Sequence, residues 1–121
     1  MSKRVALFVL SLLVGLAAIA GELKPMGLLT KVETKNVCMV NEQDMKKPQI
    51  PVEVDGKTYY GCCDMCKKAL AENAEKRAAT DPVTGKKVDK ASAVIAAQED
   101  GRVFYFESEE TLAKHNAQFA K

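Results

Sequence analysis

The sequence predicts an α+β fold in which two small strand-hairpin-helix units follow one another and pack as one compact domain. Three observations predict it. Alternating apolar residues around Asp55-Gly56 read as a β-hairpin running into a helix, and the same order of signals returns in the C-terminal half. In addition, three of the four cysteines fall within five positions, Cys62-Cys63-Asp64-Met65-Cys66, where the first hairpin meets its helix. A chain of 121 residues holds one such domain, or two very small ones that share a core.

Residues 1–20 stand apart from that domain. Met1-Ser2-Lys3-Arg4 is basic, Val5 to Ala20 is apolar apart from Ser11 and Gly15, and Ala18-Ile19-Ala20 is a small-x-small cleavage site before Gly21. This is the pattern of a secretory signal peptide. The rival, an uncleaved anchor, needs roughly 17–25 apolar residues, and this run has sixteen. No cysteine follows the run, so nothing points to a lipoprotein. The expected address is therefore across the inner membrane, in the periplasm, with no stable membrane anchor after cleavage. Losing Lys3 and Arg4 leaves 16 basic against 16 acidic residues. A neutral chain with no basic patch and no tryptophan excludes nucleic acid as a partner.

Taken in order, Gly21 to Asn36 shows no firm period and reads as a leader with at most a helical turn. Val37-Cys38-Met39-Val40-Asn41 opens the first unit, 37–79, as a short strand or knuckle, and Asn41 to Gln49 is a polar loop. Ile50, Val52 and Val54 alternate with Pro51 and Glu53, as in a strand with a proline at the sheet edge. Asp55-Gly56 is the turn pair that most favours a hairpin, and Lys57 to Tyr60 is the return strand. A helix is expected from about Asp64 to Ala79, with a weak apolar face of Ala69, Leu70, Ala74 and Ala78. Its mixed charges, Glu72 to Arg77, read as a solvated face.

Thr80-Asp81-Pro82 breaks that helix and opens the second unit, 80–121. Val83-Thr84-Gly85-Lys86 echoes the knuckle, Asp100-Gly101 the turn, and Val103-Phe104-Tyr105-Phe106 the strand before the cluster. Thr84 to Glu107 spans 23 positions against 24 from Cys38 to Cys62, and Glu107 to Thr111 spans four, as does Cys62 to Cys66. The second unit thus lacks cysteines at the matching positions. Its helix, about Ser108 to Ala120, has Ser108 as N-cap and Glu109 and Glu110 in its first turn, where the dipole favours them. The same dipole explains Glu107, Glu109 and Glu110 better than a hard-metal site does. His115, the only histidine, is expected to pack inward with Leu112 and Phe119 as a core or rim residue rather than a ligand.

The cysteines carry the chemistry. One upstream thiol followed by a Cys-x3-Cys after a hairpin reads first as a metal site, because thiolates suit Zn(II) and Cu(I). Cys62 and Cys66, one helical turn apart, can face the point that Cys38 reaches from the knuckle, and the helix N-terminus favours their thiolates. Three thiolates make a trigonal Cu(I) site. With Cys63 they could instead make a tetrahedral Zn(II) site. Adjacent cysteines rarely both reach one ion, which leaves Cys63 as a transfer ligand or a redox partner. Met39, Met45 and Met65 are soft thioethers nearby. Each reads first as packing, with Met65 the best candidate ligand of the three.

Two other readings stay open. In an oxidising compartment one disulfide from Cys38 to the cluster is possible, though a Cys62–Cys63 bridge would be strained. Cys63-Asp64-Met65-Cys66 has Cys-x-x-Cys spacing, so a thiol-disulfide redox protein is the main alternative, although no thioredoxin-like βαβ pattern surrounds it. A structural Zn(II) module that docks onto another protein is the third. No Ser/His/Asp constellation or paired-histidine motif points to an enzyme.

These residues resemble the linked TRASH and YHS families of small metal-binding modules. Asp81-Pro82-Val83-Thr84-Gly85-Lys86-Lys87-Val88-Asp89, with Asp100-Gly101-Arg102-Val103-Phe104-Tyr105-Phe106 and Ser108, looks like the YHS pattern, except that Thr84, Glu107 and Thr111 stand where it usually has cysteines. The first unit looks like the TRASH pattern, with Cys38, Cys62 and Cys66 on matching positions after Asp55-Gly56-Lys57 and Tyr59-Tyr60. Cys63 is an extra thiol. The two matches run from about Asn36 to Lys121. The resemblance implies treble-clef-like units that sense, traffic or resist heavy metals, copper prominently. The expectation is thus an exported, non-enzymatic buffer, carrier or sensor of a soft ion, Cu(I) first and Zn(II) or Hg(II) behind it. A membrane metal transporter or a metalloenzyme would be its partner.

Overall fold

The fold is α+β. The computed structural model describes residues 25–119. The expected signal peptide and the start of the leader lie outside the described residues. In chain order the elements are β1 (Thr30–Lys31), a 3-10 turn (Thr34–Asn36), β2 (Val37–Cys38), β3 (Gln43–Asp44), β4 (Ile50–Val54), β5 (Lys57–Gly61) and α1 (Asp64–Glu72). A second 3-10 turn (Ala74–Arg77), β6 (Ala78–Thr80), β7 (Lys87–Asp89), β8 (Val94–Ala97), β9 (Val103–Phe106) and α2 (Glu109–Ala117) follow. Among the described residues no helix is long and apolar enough to cross a membrane.

Local chemistry accounts for the hairpins. β4 and β5 pair antiparallel with Val52 opposite Tyr59 and Val54 opposite Lys57, and the two residues between them, Asp55 and Gly56, both have positive φ, 52° and 79°. That is the turn whose twist matches the strands it joins. The predicted alternation holds: Val52 is buried, while Pro51 and Glu53 are exposed. β2 and β3 form a shorter hairpin, as do β6 and β7.

β8 and β9 form the middle layer. All four residues of β9 are buried, and because successive side chains point to opposite faces, both faces are covered. Ile95, Val103 and Tyr105 pack with Val37, Met39, Val52, Tyr59 and Leu70 from the N-terminal half. Ala96, Phe104 and Phe106 pack on the other side with Leu112 of α2 and with Leu29.

Three expectations are corrected. The leader is not a loose lead-in throughout: β1 pairs with the edge of β8, Thr30 opposite Ala97. Leu29 is buried, and its N–H and C=O are both bonded by the Asn116 amide, at 2.8 and 3.0 Å. The first helix ends at Glu72 rather than near Ala79. Asn73 turns out of helical geometry at φ −121°, its side chain accepts from Glu75 N, and Arg77 donates to the freed Leu70 carbonyl at 2.6 Å. Ala78 and Ala79, expected on the helix, are strand, and they pair with Asp89 and Val88. Finally, Phe119 does pack on His115, ring centroids 4.9 Å apart, but it stays 41% exposed rather than turning fully inward. His115 is buried as expected, its Nε2 2.9 Å from the Gly27 carbonyl.

Two carboxylates, Asp89 half-buried and Asp81 buried, join distant segments. Asp89 accepts from Tyr59 Oη and from Lys57 Nζ, each at 2.8 Å, linking β7 to β5. Asp81 has no exposed surface. Its carboxylate accepts from Val83 N at 2.6 Å, Thr84 N at 3.2 Å, Glu107 N at 2.8 Å and Thr111 Oγ1 at 2.8 Å. Burial pushes this carboxyl up, but the donors from Glu107, Val83, Thr111 and Thr84 outweigh it and hold it below its ordinary value.

A group whose folded pKa is lowered contributes stability that is complete above its unfolded value and lost as pH falls through the folded one. Asp81→Asn sets an amide donor against backbone donors and is expected to cost about 2 kcal/mol at pH 7. Urea unfolding at pH 7 and pH 3 checks this. The gap between wild type and variant should narrow below about pH 4, and a gap that stays constant would refute the role given to this carboxylate.

Candidate metal centre

Cys38, Cys62 and Cys66 come together, their sulfurs all within 4.8 Å of one another. They arrive from three elements: Cys38 from the end of β2, Cys62 just past β5, and Cys66 from the first turn of α1. Among the described residues no other histidine, cysteine or carboxylate grouping of this kind occurs.

The backbone prepares each arrival. Met39 N donates to the Tyr60 carbonyl at 2.9 Å, docking the turn after Cys38 onto β5. Glu42 N donates back to the Cys38 carbonyl at 2.8 Å, closing that turn. Lys90, nearly fully buried, reaches across from the C-terminal half to the Met39 carbonyl at 2.8 Å and Glu42 Oε2 at 2.9 Å. Gly61 supplies closeness: a Cβ there would lie 2.8 Å from Cys66 Cβ and 3.2 Å from the Cys66 carbonyl carbon. Only a residue without a side chain lets the strand end lie against the helix start at this distance.

The sulfur spacing fits a metal. Cys66 Sγ lies 3.7 Å from Cys62 Sγ and 3.8 Å from Cys38 Sγ. With a metal–sulfur bond of about 2.3 Å, thiolates on one ion stand about 3.8 Å apart in a tetrahedron and about 4.0 Å apart in a trigonal plane. All four cysteines are free thiols, so the expected possibility of a Cys38 disulfide is not what this structure contains. Asn41 serves two of the sulfurs, its backbone N–H donating to Cys38 and its amide Nδ2 to Cys62, both at 3.4 Å.

Protonation divides the thiols. Burial pushes Cys38 up, but the N–H groups of Asn41 and Val40 outweigh it and hold the thiol below its usual value. Cys66 is pushed up to about 12, first by burial and then by the neighbouring thiols of Cys63 and Cys62. Cys66 therefore keeps its proton at neutral pH, and any ion held there would have to displace it.

Cys63 stands outside the three-sulfur set. It is the exposed N-cap of α1, and its sulfur is in contact with that of Cys66 at 3.6 Å. The methionines divide as well. Met39 is fully buried in the core, Met45 is half-buried, and Met65 is 82% exposed, so the packing reading fails for Met65. Glu109 and Glu110 are exposed on the first turn of α2, where Ser108 Oγ caps the helix. Glu107 accepts from Thr84 Oγ1. The sequence reading missed Gly61, Lys90 and the amide of Asn41. Of these, only Gly61, wedged before two cysteines, carried a local signal.

Two outcomes follow from this geometry. Gly61→Ala should lower Zn(II) affinity by about tenfold or more, since 1.4 kcal/mol of displacement suffices. Competition titration against a chelator measures it, and unchanged affinity would refute the close-approach argument. Affinity should also rise with pH between 6 and 8, about tenfold per unit for each proton displaced. A flat profile would mean that no thiol proton leaves. Compared with known proteins, the chain matches no family model, no curated protein and no solved structure.

Proposed function

We propose that this protein binds a soft metal ion through Cys38, Cys62 and Cys66, as a buffer, carrier or sensor. The observation that carries the reading is the three-sulfur set, all within 4.8 Å, in which the two spacings to Cys66, 3.7 and 3.8 Å, match thiolates sharing one ion. Cu(I) is the first candidate, because three thiolates suit its trigonal preference and its softness; Zn(II) and Hg(II) follow. The site lies at the surface on one side, where Cys62 is half-buried and Met65 exposed. Such a soft rim is where a membrane metal transporter or a metalloenzyme would exchange the ion. The protein acts by binding, not by catalysis.

The finer architecture belongs to the same proposal. The order hairpin, hairpin, helix occurs as β2–β3, β4–β5, α1 and again as β6–β7, β8–β9, α2. We read the two runs as tandem treble-clef-like units, the first similar to TRASH modules and the second to YHS modules without cysteines. Thr84 and Glu107 are bonded to each other, and Thr111 Oγ1 bonds Asp81, so the matching positions in the second run hold polar contacts instead of thiols. Export to the periplasm completes the reading and rests on the pattern of residues 1–20.

Anaerobic titration of the reduced protein with Cu(I) and Zn(II) against competing chelators, with free thiols counted before and after, tests the proposal. One tightly bound ion that protects three thiols is the expected result. Cys62→Ser should abolish stoichiometric binding, while Thr84→Ala leaves it intact. Equal effects of the two substitutions, or no binding of either ion, would overturn the assignment.

A further inference from the structure

We propose that Cys63 is an oxidation site that releases the bound ion, by drawing Cys66 out of the metal set into a Cys63–Cys66 disulfide. The inference rests on the metal-binding reading above and adds a means of discharge to it. Cys66 is the hub of the cluster: the sulfurs of Cys38, Cys62 and Cys63 lie 3.8, 3.7 and 3.6 Å from its own. Two of these neighbours belong to the metal set and the third does not. The outsider is also the exposed thiol, whereas Cys38 and Cys66 are buried. A disulfide reagent therefore meets Cys63 first, and the hub sulfur lies in contact with it at 3.6 Å.

The backbone favours this pair over the others. Cys63 is the extended N-cap of α1, at φ −158° and ψ 176°, and Cys66 is the third helical residue, so the two side chains meet over the first turn. Closing the bond requires the sulfurs to move from 3.6 Å to about 2.05 Å, within the reach of rotating one exposed side chain. A Cys62–Cys63 bridge would be strained by adjacency, and Cys38 is fully buried.

With a low-molecular-weight disulfide RSSR as oxidant, the chemistry runs in two exchanges. The Cys63 thiolate attacks one sulfur of RSSR, forming a Cys63–SR bond and expelling RS⁻. The Cys66 thiolate, leaving the ion, then attacks the Cys63 sulfur, forming the Cys63–Cys66 bond and expelling the second RS⁻. Two electrons pass from the cysteine pair to RSSR, and the two RS⁻ take up protons from Cys63 and from solvent. Cys38 and Cys62 remain as two ligands, fewer than a closed Zn(II) site requires.

The test uses the full chain, reduced and loaded with Zn(II), which has no redox chemistry of its own. Glutathione disulfide is added under argon. Released Zn(II) is followed with a chromogenic chelator, and bridge formation by a loss of about 2 Da from the intact mass. Wild type is expected to lose most of its Zn(II) as the bridge forms. Cys63→Ser, which places a favoured N-cap residue at the start of α1, is expected to load with Zn(II) and release it at least about tenfold more slowly. Release at equal rates from both proteins, or a wild type that is oxidised yet keeps its Zn(II), would overturn the inference and leave the metal-binding reading standing. A wild type that takes up no Zn(II) in the first place would overturn both.

Discussion

A turn, a strand end and a helix start must meet at one point in each half of this molecule, and the rest of the structure depends on how those points are held. In the C-terminal half the tie is the Asp81 carboxylate, which accepts from the turn at Val83 and Thr84, from the strand end at Glu107 and from the helix at Thr111. In the N-terminal half the corresponding meeting of turn, strand end and helix is made by the sulfurs of Cys38, Cys62 and Cys66. A buried anion with all its acceptor positions filled is a stable tie by itself. Three thiols gathered around Cys66 are not, because one keeps a proton and none is a strong donor. The carboxylate tie is complete with protein donors alone, whereas the sulfur tie offers ligand atoms that could hold an ion.

The two halves cannot be treated as independent. β9 is covered on both faces, by the core of the cysteine half on one side and by α2 on the other. Lys90 reaches from the C-terminal half to the turn that carries Cys38, and the Asp89 carboxylate holds Tyr59 and Lys57 of β5. A change far from the sulfurs therefore reaches them through short hydrogen bonds, of which the Lys90–Met39 bond is buried, in a small protein whose total stability is only several kcal/mol.

Much of the site was legible from residue order. Cys-x3-Cys after a hairpin with an Asp-Gly turn brought two sulfurs together, though not on one helical face: α1 begins at Asp64 after an extended Cys63, so Cys62 meets Cys66 across the strand-helix junction. The separation of Cys38 is what a knuckle ahead of that hairpin requires. Ser108 announced its helix in the same local way. Illegible in the sequence was whether Cys63 joins Cys38, Cys62 and Cys66 as a fourth ligand, because its direction depends on how β5 meets α1. The contact at Gly61 decides that meeting, and it is a property of two packed elements.

The sequence by itself determined the hairpin at Asp55-Gly56, the strand at Val103 to Phe106, the capped second helix and the clustering of thiols, since each follows from backbone preference or from neighbours a few residues apart. Tertiary structure alone decided that β1 joins β8, that α1 stops at Asn73, and that Met65 faces solvent. It also decided that Cys63 lies outside the sulfur set and that Asp81 and Lys90 are buried ties. Each of these depends on partners far away along the chain, such as Asn116 for Leu29 and Met39 for Lys90, and no local preference encodes them. Burial and hydrogen-bond satisfaction settle such positions only once the distant surfaces have met.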